Sequence, residues 1–181
     1  NGSLRARLSL PFALTGAQVR ATREIVADMC SDDRMHRLLQ GDVGAGKTVV
    51  AMFAALLAAE NGYQTAVMAP TELLAEQHHR TFARLLAPLD IELLLLTGSL
   101  GAAARRAAAT RLASHEPVIA IGTHALAVDA TAFAQLGLVV IDEQHRFGVN
   151  TRAALGAKGE RPDVLLMTAT PIPRSLALTA Y

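Results

Sequence analysis

Residues Gly41-Asp42-Val43-Gly44-Ala45-Gly46-Lys47-Thr48 complete the pattern G-x-x-x-x-G-K-T, and an apolar run far downstream ends in Asp142-Glu143-Gln144-His145. A glycine-rich loop of the first kind can turn its backbone N–H groups inward around a phosphate chain. Lys47 then reaches the β- and γ-phosphates, and the Thr48 hydroxyl is a ligand for magnesium. Asp142, emerging at the carboxyl end of a buried strand, can complete the magnesium shell. Glu143, beside it and outside that shell, is placed to orient and polarise an attacking water. Each motif alone has a plainer reading, as a strand-to-helix turn or as a solvated acidic turn. Together they point to nucleoside triphosphate chemistry, with a magnesium nucleotide as the cofactor.

Such a loop works only if a strand leads into it and a helix leads out, because the helix N-terminus adds partial positive charge under the phosphates. The sequence supplies both. From Arg34 onward short apolar runs alternate with alanine- and leucine-rich stretches, the pattern of βαβ units around a mostly parallel sheet covered on both faces. The runs Met35 to Gln40, Thr65 to Ala69, Ile91 to Leu96, Val118 to Ile121, Leu138 to Ile141 and Val164 to Met167 read as strands. Helices are expected over Thr15 to Met29, Lys47 to Glu60, Thr71 to Leu86 and Gly101 to Ser114, with weaker ones near Ala125 and Thr151. Asn61-Gly62 is a helix stop, and Thr71-Glu72 after Pro70 is a helix start. The fold class is therefore α/β.

Composition agrees. The 181 residues, 51% of them hydrophobic, suit one α/β domain with a sizeable core. The longest apolar stretch, Val49 to Ala59, falls short of the ~20 residues a membrane span needs and reads as the helix behind the loop. A net charge of +1 leaves any nucleic-acid contact local or shared with another domain. Only Lys47 and Lys158 are lysines among the seventeen basic residues, and alanine is abundant, which we read as coding bias. The lone cysteine, Cys30, cannot form an internal disulfide and reads as a small buried hydrophobe. The chain opens on Asn1 without a cationic, apolar leader, so an intracellular piece of a larger protein is expected, with residues 1 to 11 a connection from an upstream domain.

Thr168-Ala169-Thr170 sets two hydroxyls at the end of the next apolar run, and a hydrogen bond from His145 to them would link the nucleotide site to the far edge of the sheet. His78 and His79 are expected on an exposed helix face.

The order of these motifs resembles the first motor domain of a superfamily 2 helicase. Finer strings sharpen the resemblance: Leu10-Pro11-Phe12-Ala13-Leu14-Thr15-Gly16-Ala17-Gln18, Ala69-Pro70-Thr71-Glu72-Leu73-Leu74-Ala75-Glu76-Gln77-His78, Ile121-Gly122-Thr123-His124-Ala125, Asp142-Glu143-Gln144-His145-Arg146-Phe147-Gly148-Val149 and Met167-Thr168-Ala169-Thr170-Pro171-Ile172-Pro173-Arg174. They are similar to the branched-DNA helicases of bacteria over nearly the whole chain. That resemblance implies a RecA-like P-loop NTPase domain spanning residues 12 to 181, using ATP and magnesium. The nucleotide would be held by Gly41, Asp42, Gly44, Ala45, Gly46, Lys47 and Thr48. Gln18 would pair with the adenine edge, and Phe12 would stack on the base or merely pack. Pro70, Thr71 and Glu72 match a DNA-tracking motif, with Thr97, Gly98, Thr123 and His124 on the same DNA-facing side, and each also has a reading as turn or cap chemistry. His145, Thr168 and Thr170 would couple hydrolysis to movement.

The implied partners are branched or forked DNA, together with a second motor domain that supplies arginines to the ATP site and an upstream wedge domain, both outside these residues. A bacterial cytoplasmic location near the nucleoid and no membrane follow from the same resemblance. Two alternatives stay open: the first motor domain of a transcription-repair coupling translocase, and an adenine-nucleotide switch module that does no work on DNA. The chain has no Asn-Lys-x-Asp guanine reader.

Overall fold

The computed structural model describes residues 8–123, 126, 133–143 and 162–169, and the structural statements below concern these. In chain order the elements are α1 (Gly16–Met29), β1 (His36–Gln40), α2 (Lys47–Glu60), β2 (Gln64–Met68), α3 (Glu72–Leu86), β3 (Glu92–Leu96), α4 (Ala102–Leu112), β4 (Val118–Gly122), β5 (Leu136–Glu143) and β6 (Asp163–Thr168). Each expected helix or strand within the described residues forms, with ends that differ by at most two residues. The weaker helices near Ala125 and Thr151 lie outside the described residues.

The six strands pair in parallel in a single sheet of order β1-β6-β5-β2-β4-β3. Alternation along each strand sorts side chains onto two faces. Val67, Ile119, Ile121, Leu138, Val140, Leu165 and Met167 pack with α1, α2 and α3 in one core. Ala66, Met68, Val118, Ala120, Val139 and Ile141 pack with Ala108 and Leu112 of α4, Leu126 and Phe133 in the other. Helices therefore cover both faces, and the strands read as continuous apolar runs for that reason. Leu8 and Leu10 also pack against the first core, so its apolar contacts reach into the segment before Phe12.

The helix behind the glycine-rich loop is buried nearly all round. Ten of the fourteen residues of α2 are buried, because α1 lies over the side that the sheet does not cover. It stops at Asn61, whose side chain donates to the Leu57 carbonyl at 2.8 Å, followed by Gly62 at φ +82°. Helix α1 begins with a reciprocal cap: Gln18 N–H donates to Thr15 Oγ1 at 3.2 Å, and Thr15 N–H donates to Gln18 Oε1 at 2.9 Å.

Two expectations are corrected. Cys30 is exposed, since it is the residue that caps α1 at its C-terminus and the chain leaves the core there. The strand carrying Thr168 does not lead toward a far edge. It is inserted between β1 and β5 and so lies inside the sheet.

Candidate functional site

Ligands in open parallel sheets sit beyond the carboxyl ends of the strands, and there the sequence motifs converge. Gly44 and Gly46 take positive φ of +84° and +76°. Gly46 is the N-cap of α2, a position without side-chain capping, which leaves the helix's first N–H groups free to face an anion. A Cβ at Gly46 would also stand 2.1 Å from Gln18 Nε2, so both backbone and neighbour demand glycine. Lys47 folds back over the loop, its Nζ donating to the carbonyls of Gly41 at 2.6 Å and Asp42 at 2.9 Å. Ala45 N–H closes the turn onto the Asp42 carbonyl at 3.0 Å.

Gln18 clips this loop to α1, its Nε2 donating to the Ala45 carbonyl at 3.0 Å. A carboxamide has two N–H donors and two acceptor lone pairs, so with one of each engaged, a second of each remains to meet a base edge. Phe12, nearby in sequence, is 43% exposed.

Val43, Gly44, Gly46, Lys47, Thr48, Leu74, Gln77, His78, Thr81, Asp142, Met167 and Ala169 surround one cavity of about 340 Å³. Lys47, Thr48 and Asp142 thus face a common space. Glu143 follows Asp142 as the last residue of β5, in register with Thr168 of β6. Thr168 is in turn level with Gln40 of β1, and its carbonyl accepts from Gly41 N–H at 3.1 Å. The strand carrying Thr168 therefore braces the loop on one side and the acidic strand end on the other. Gln144, His145 and Thr170 lie outside the described residues.

One histidine expected on an exposed face lines this cavity instead. His78 is buried at 8% exposure, not on an exposed face, and its Nε2 lies 2.6 Å from Asp142 Oδ2. His79 is half-buried, and burial holds its imidazole below the usual range. Helical spacing explains the miss: Ala75, His78, Phe82 and Leu85 form one buried stripe at three- and four-residue steps, and position 78 falls on it.

The candidate DNA-tracking residues gather at the same carboxyl edge, over β2, β4 and β3. Thr71 caps α3, its Oγ1 accepting from Leu74 N–H at 3.2 Å, and it is exposed, with Pro70 half-buried beside it. Glu72 reaches across to β3, where its Oε1 accepts from Ser99 N–H at 3.1 Å and stands 3.0 Å from the place a Cβ on Gly98 would take. Thr97 and Thr123 are buried, at 6% and 3% exposure, so what faces outward there is Gly98 and Ser99. His124 lies outside the described residues.

The donor set fits a magnesium nucleotide. It offers backbone N–H groups at a helix N-terminus and one ammonium for phosphates, with a hydroxyl and a carboxylate as oxygen ligands, and magnesium is commonly held by one or two carboxylates plus substrate phosphates. The profile of the DEAD/DEAH box helicases matches residues 15–179. The chain belongs to that family. Its members use ATP, and the fold described above is the RecA-like fold of their motor domains. Similar relatives include the ATP-dependent DNA helicase RecG of Streptococcus pneumoniae, 56% identical over 97% of this chain and 26% of the relative. RecG of Escherichia coli K12 is 52% identical over all of this chain and 27% of the relative. The chain thus spans about a quarter of the length of the curated relatives it matches. Among solved structures, RecG bound to a three-way DNA junction matches with a TM-score of 0.81 and 48% identity, over 95% of this chain and 23% of that one. The DUF1998 helicase MrfA, at 18% identity and a TM-score of 0.72 over 99% of this chain and 31% of that one, shares the fold. No helix among the described residues is long and apolar enough to cross a membrane.

Proposed function

We propose that this chain is the first motor domain of a RecG-type, ATP-dependent helicase of branched DNA, which remodels stalled forks and migrates junctions in recombination and repair. The observation that carries the reading is one cavity faced by Lys47, Thr48 and Asp142, in a chain 52–56% identical to RecG proteins. Lys47 exchanges its bonds to the Gly41 and Asp42 carbonyls for the β- and γ-phosphates. The N–H groups of Gly44, Gly46, Lys47 and Thr48 take the remaining phosphate oxygens, and Thr48 and Asp142 hold the cation, which when bound neutralises charge developing on the phosphates. Glu143 orients the water, Gln18 reads the adenine edge, and Phe12 stacks on the base or packs. Thr71 and the Gly98–Ser99 turn, which Glu72 holds through Ser99 N–H, face the DNA backbone, where positioning contacts need N–H and O–H donors rather than base readers. Arginines from a second motor domain would close the cavity, and a wedge domain would engage the junction.

The test uses the full-length protein that contains this chain. Phosphate release is measured with a three-way junction, with linear duplex and without DNA. Junction DNA should stimulate turnover most, and Glu143→Gln should abolish turnover while sparing ATP binding, because an amide keeps the shape and is a poor base. Equal rates with all three, or a Glu143→Gln enzyme as fast as the parent, would overturn the reading.

A further inference from the structure

A carboxylate that serves a cation must present one oxygen in one direction, yet the terminal torsion of an aspartate is broad and roughly two-fold. Something has to choose. At Asp142 the described neighbour that does so is His78, with Nε2 2.6 Å from Oδ2. Both side chains are largely withdrawn from water, at 10% and 18% exposure, which strengthens the bond relative to one in solvent. The donor comes from a rigid element, since α3 is capped at Thr71 and packs Ala75, Phe82, Leu85 and Leu86 into the core on the same stripe. Leu74, Gln77 and Thr81 of the same helix line the cavity around it.

We propose that His78 is a positioning residue for the nucleotide-bound cation: Nε2–H donates to Asp142 Oδ2, fixes the carboxylate plane and leaves Oδ1 for the cation. The inference rests on the reading of Asp142 as the magnesium carboxylate. His78 touches neither nucleotide nor metal, and acts through Asp142 as partners of metal-ligating carboxylates do. A histidine kept only to pin α3 to β5 would have a different signature. Its loss would loosen the cavity as a whole and weaken nucleotide binding by the same factor with and without magnesium.

The experiment is a titration of fluorescent ADP against the chain in EDTA and at graded magnesium, for the parent, His78→Ala, His78→Gln, Asp142→Asn and the His78→Ala/Asp142→Asn double variant. Loss of the donor should raise the magnesium midpoint roughly tenfold, the scale seen when such partners are removed, and leave affinity in EDTA at the parental value. His78→Gln, which keeps an N–H donor, should recover most of the shift. On the Asp142→Asn background His78→Ala should add little, because the two act as a unit. A parental midpoint in His78→Ala beside a shifted Asp142→Asn overturns the role of His78 alone. Equal losses with and without magnesium overturn it in favour of the pin. An unshifted Asp142→Asn refutes the assignment of Asp142 and takes the inference with it. If His78→Ala fails to fold, His78→Leu, closer in volume and without a donor, is compared with His78→Gln, and equal midpoints for those two overturn the proposal.

Discussion

Asp163 shows how one side chain joins two strands at the end of the sheet away from the site. Its Oδ1 accepts from Met35 N–H at 2.8 Å, tying the start of β1 to β6, and the residue is 7% exposed. Desolvation pushes its carboxyl above the ordinary 3.8, against the opposing pull of the Met35 bond and of Arg34 and His36. A carboxyl raised in the folded state holds its proton longer than in the unfolded chain. Its stability contribution is therefore full below pH 3.8 and declines as pH rises through the folded value. Asp163→Asn keeps an acceptor without the charge, so in denaturant titrations it should gain on the parent as pH climbs above 3.8. Asp163→Ala orphans the Met35 N–H and should lose roughly 1–3 kcal/mol. A different residue governs the loop. Gly46→Ala, strained at φ +76° and pressing on Gln18, should cut ADP affinity at least about tenfold by equilibrium titration, a penalty of roughly 1–2 kcal/mol for a left-handed residue. Gly46, Lys47 and Thr48 were legible because their spacing is local. The bonds from Gln18 to Ala45 and from His78 to Asp142 join residues 27 and 64 apart in sequence, and only the tertiary register creates them.

Among the elements, the helices and strands could be read because caps, stops and apolar runs are local features: Thr15 and Thr71 start helices, and Asn61-Gly62 ends one. Strand order could not, since nothing in β1 or β6 names the other as partner, and their pairing depends on how the crossovers route. Two positions in the sheet carry more than their type suggests. Gln64 opens β2 fully buried, its Nε2 donating to the carbonyls of Leu112 at 3.0 Å, Ser114 at 2.8 Å and Glu116 at 3.3 Å, while its Oε1 accepts from Gln135 N–H at 3.1 Å. It ties the end of α4 and the approach to β5 to one interior strand, at the amino end of the sheet away from the cavity. Gln64→Leu should cost about 2 kcal/mol or more in chemical denaturation, as several buried groups lose their partner, with ADP affinity unchanged. Gly122 ends β4 where a Cβ would stand 2.1 Å from the Leu96 carbonyl. Gly122→Ala must push β3 away and should destabilise by roughly 1–3 kcal/mol. Because that shift moves Thr97 and Gly98, DNA-stimulated turnover of the full-length protein should fall further than its basal rate.

For the molecule as a whole, the proposed function predicts that the 181 residues assayed alone bind magnesium ADP yet hydrolyse ATP slowly and without response to a fork. An arginine supplied from outside such a cavity is worth about 10³ to 10⁵ in rate. Addition of the isolated second motor domain should restore part of the rate, and fast, fork-stimulated turnover by the chain alone would show the cavity to be complete without it. The sheet order has a further consequence, in time rather than in space. Among the described strands β1 pairs only with β6, and the glycine-rich loop hangs on a carbonyl at the end of β6. A chain growing from a ribosome makes its N-terminal parts first, at about 5–20 residues per second. It therefore completes the loop sequence long before the strand that docks it to the sheet. The place between β1 and β5 stays unfilled until Asp163 to Thr168 is made, and a nascent chain halted before Asp163 would carry every residue of G-x-x-x-x-G-K-T and still be unable to retain a nucleotide.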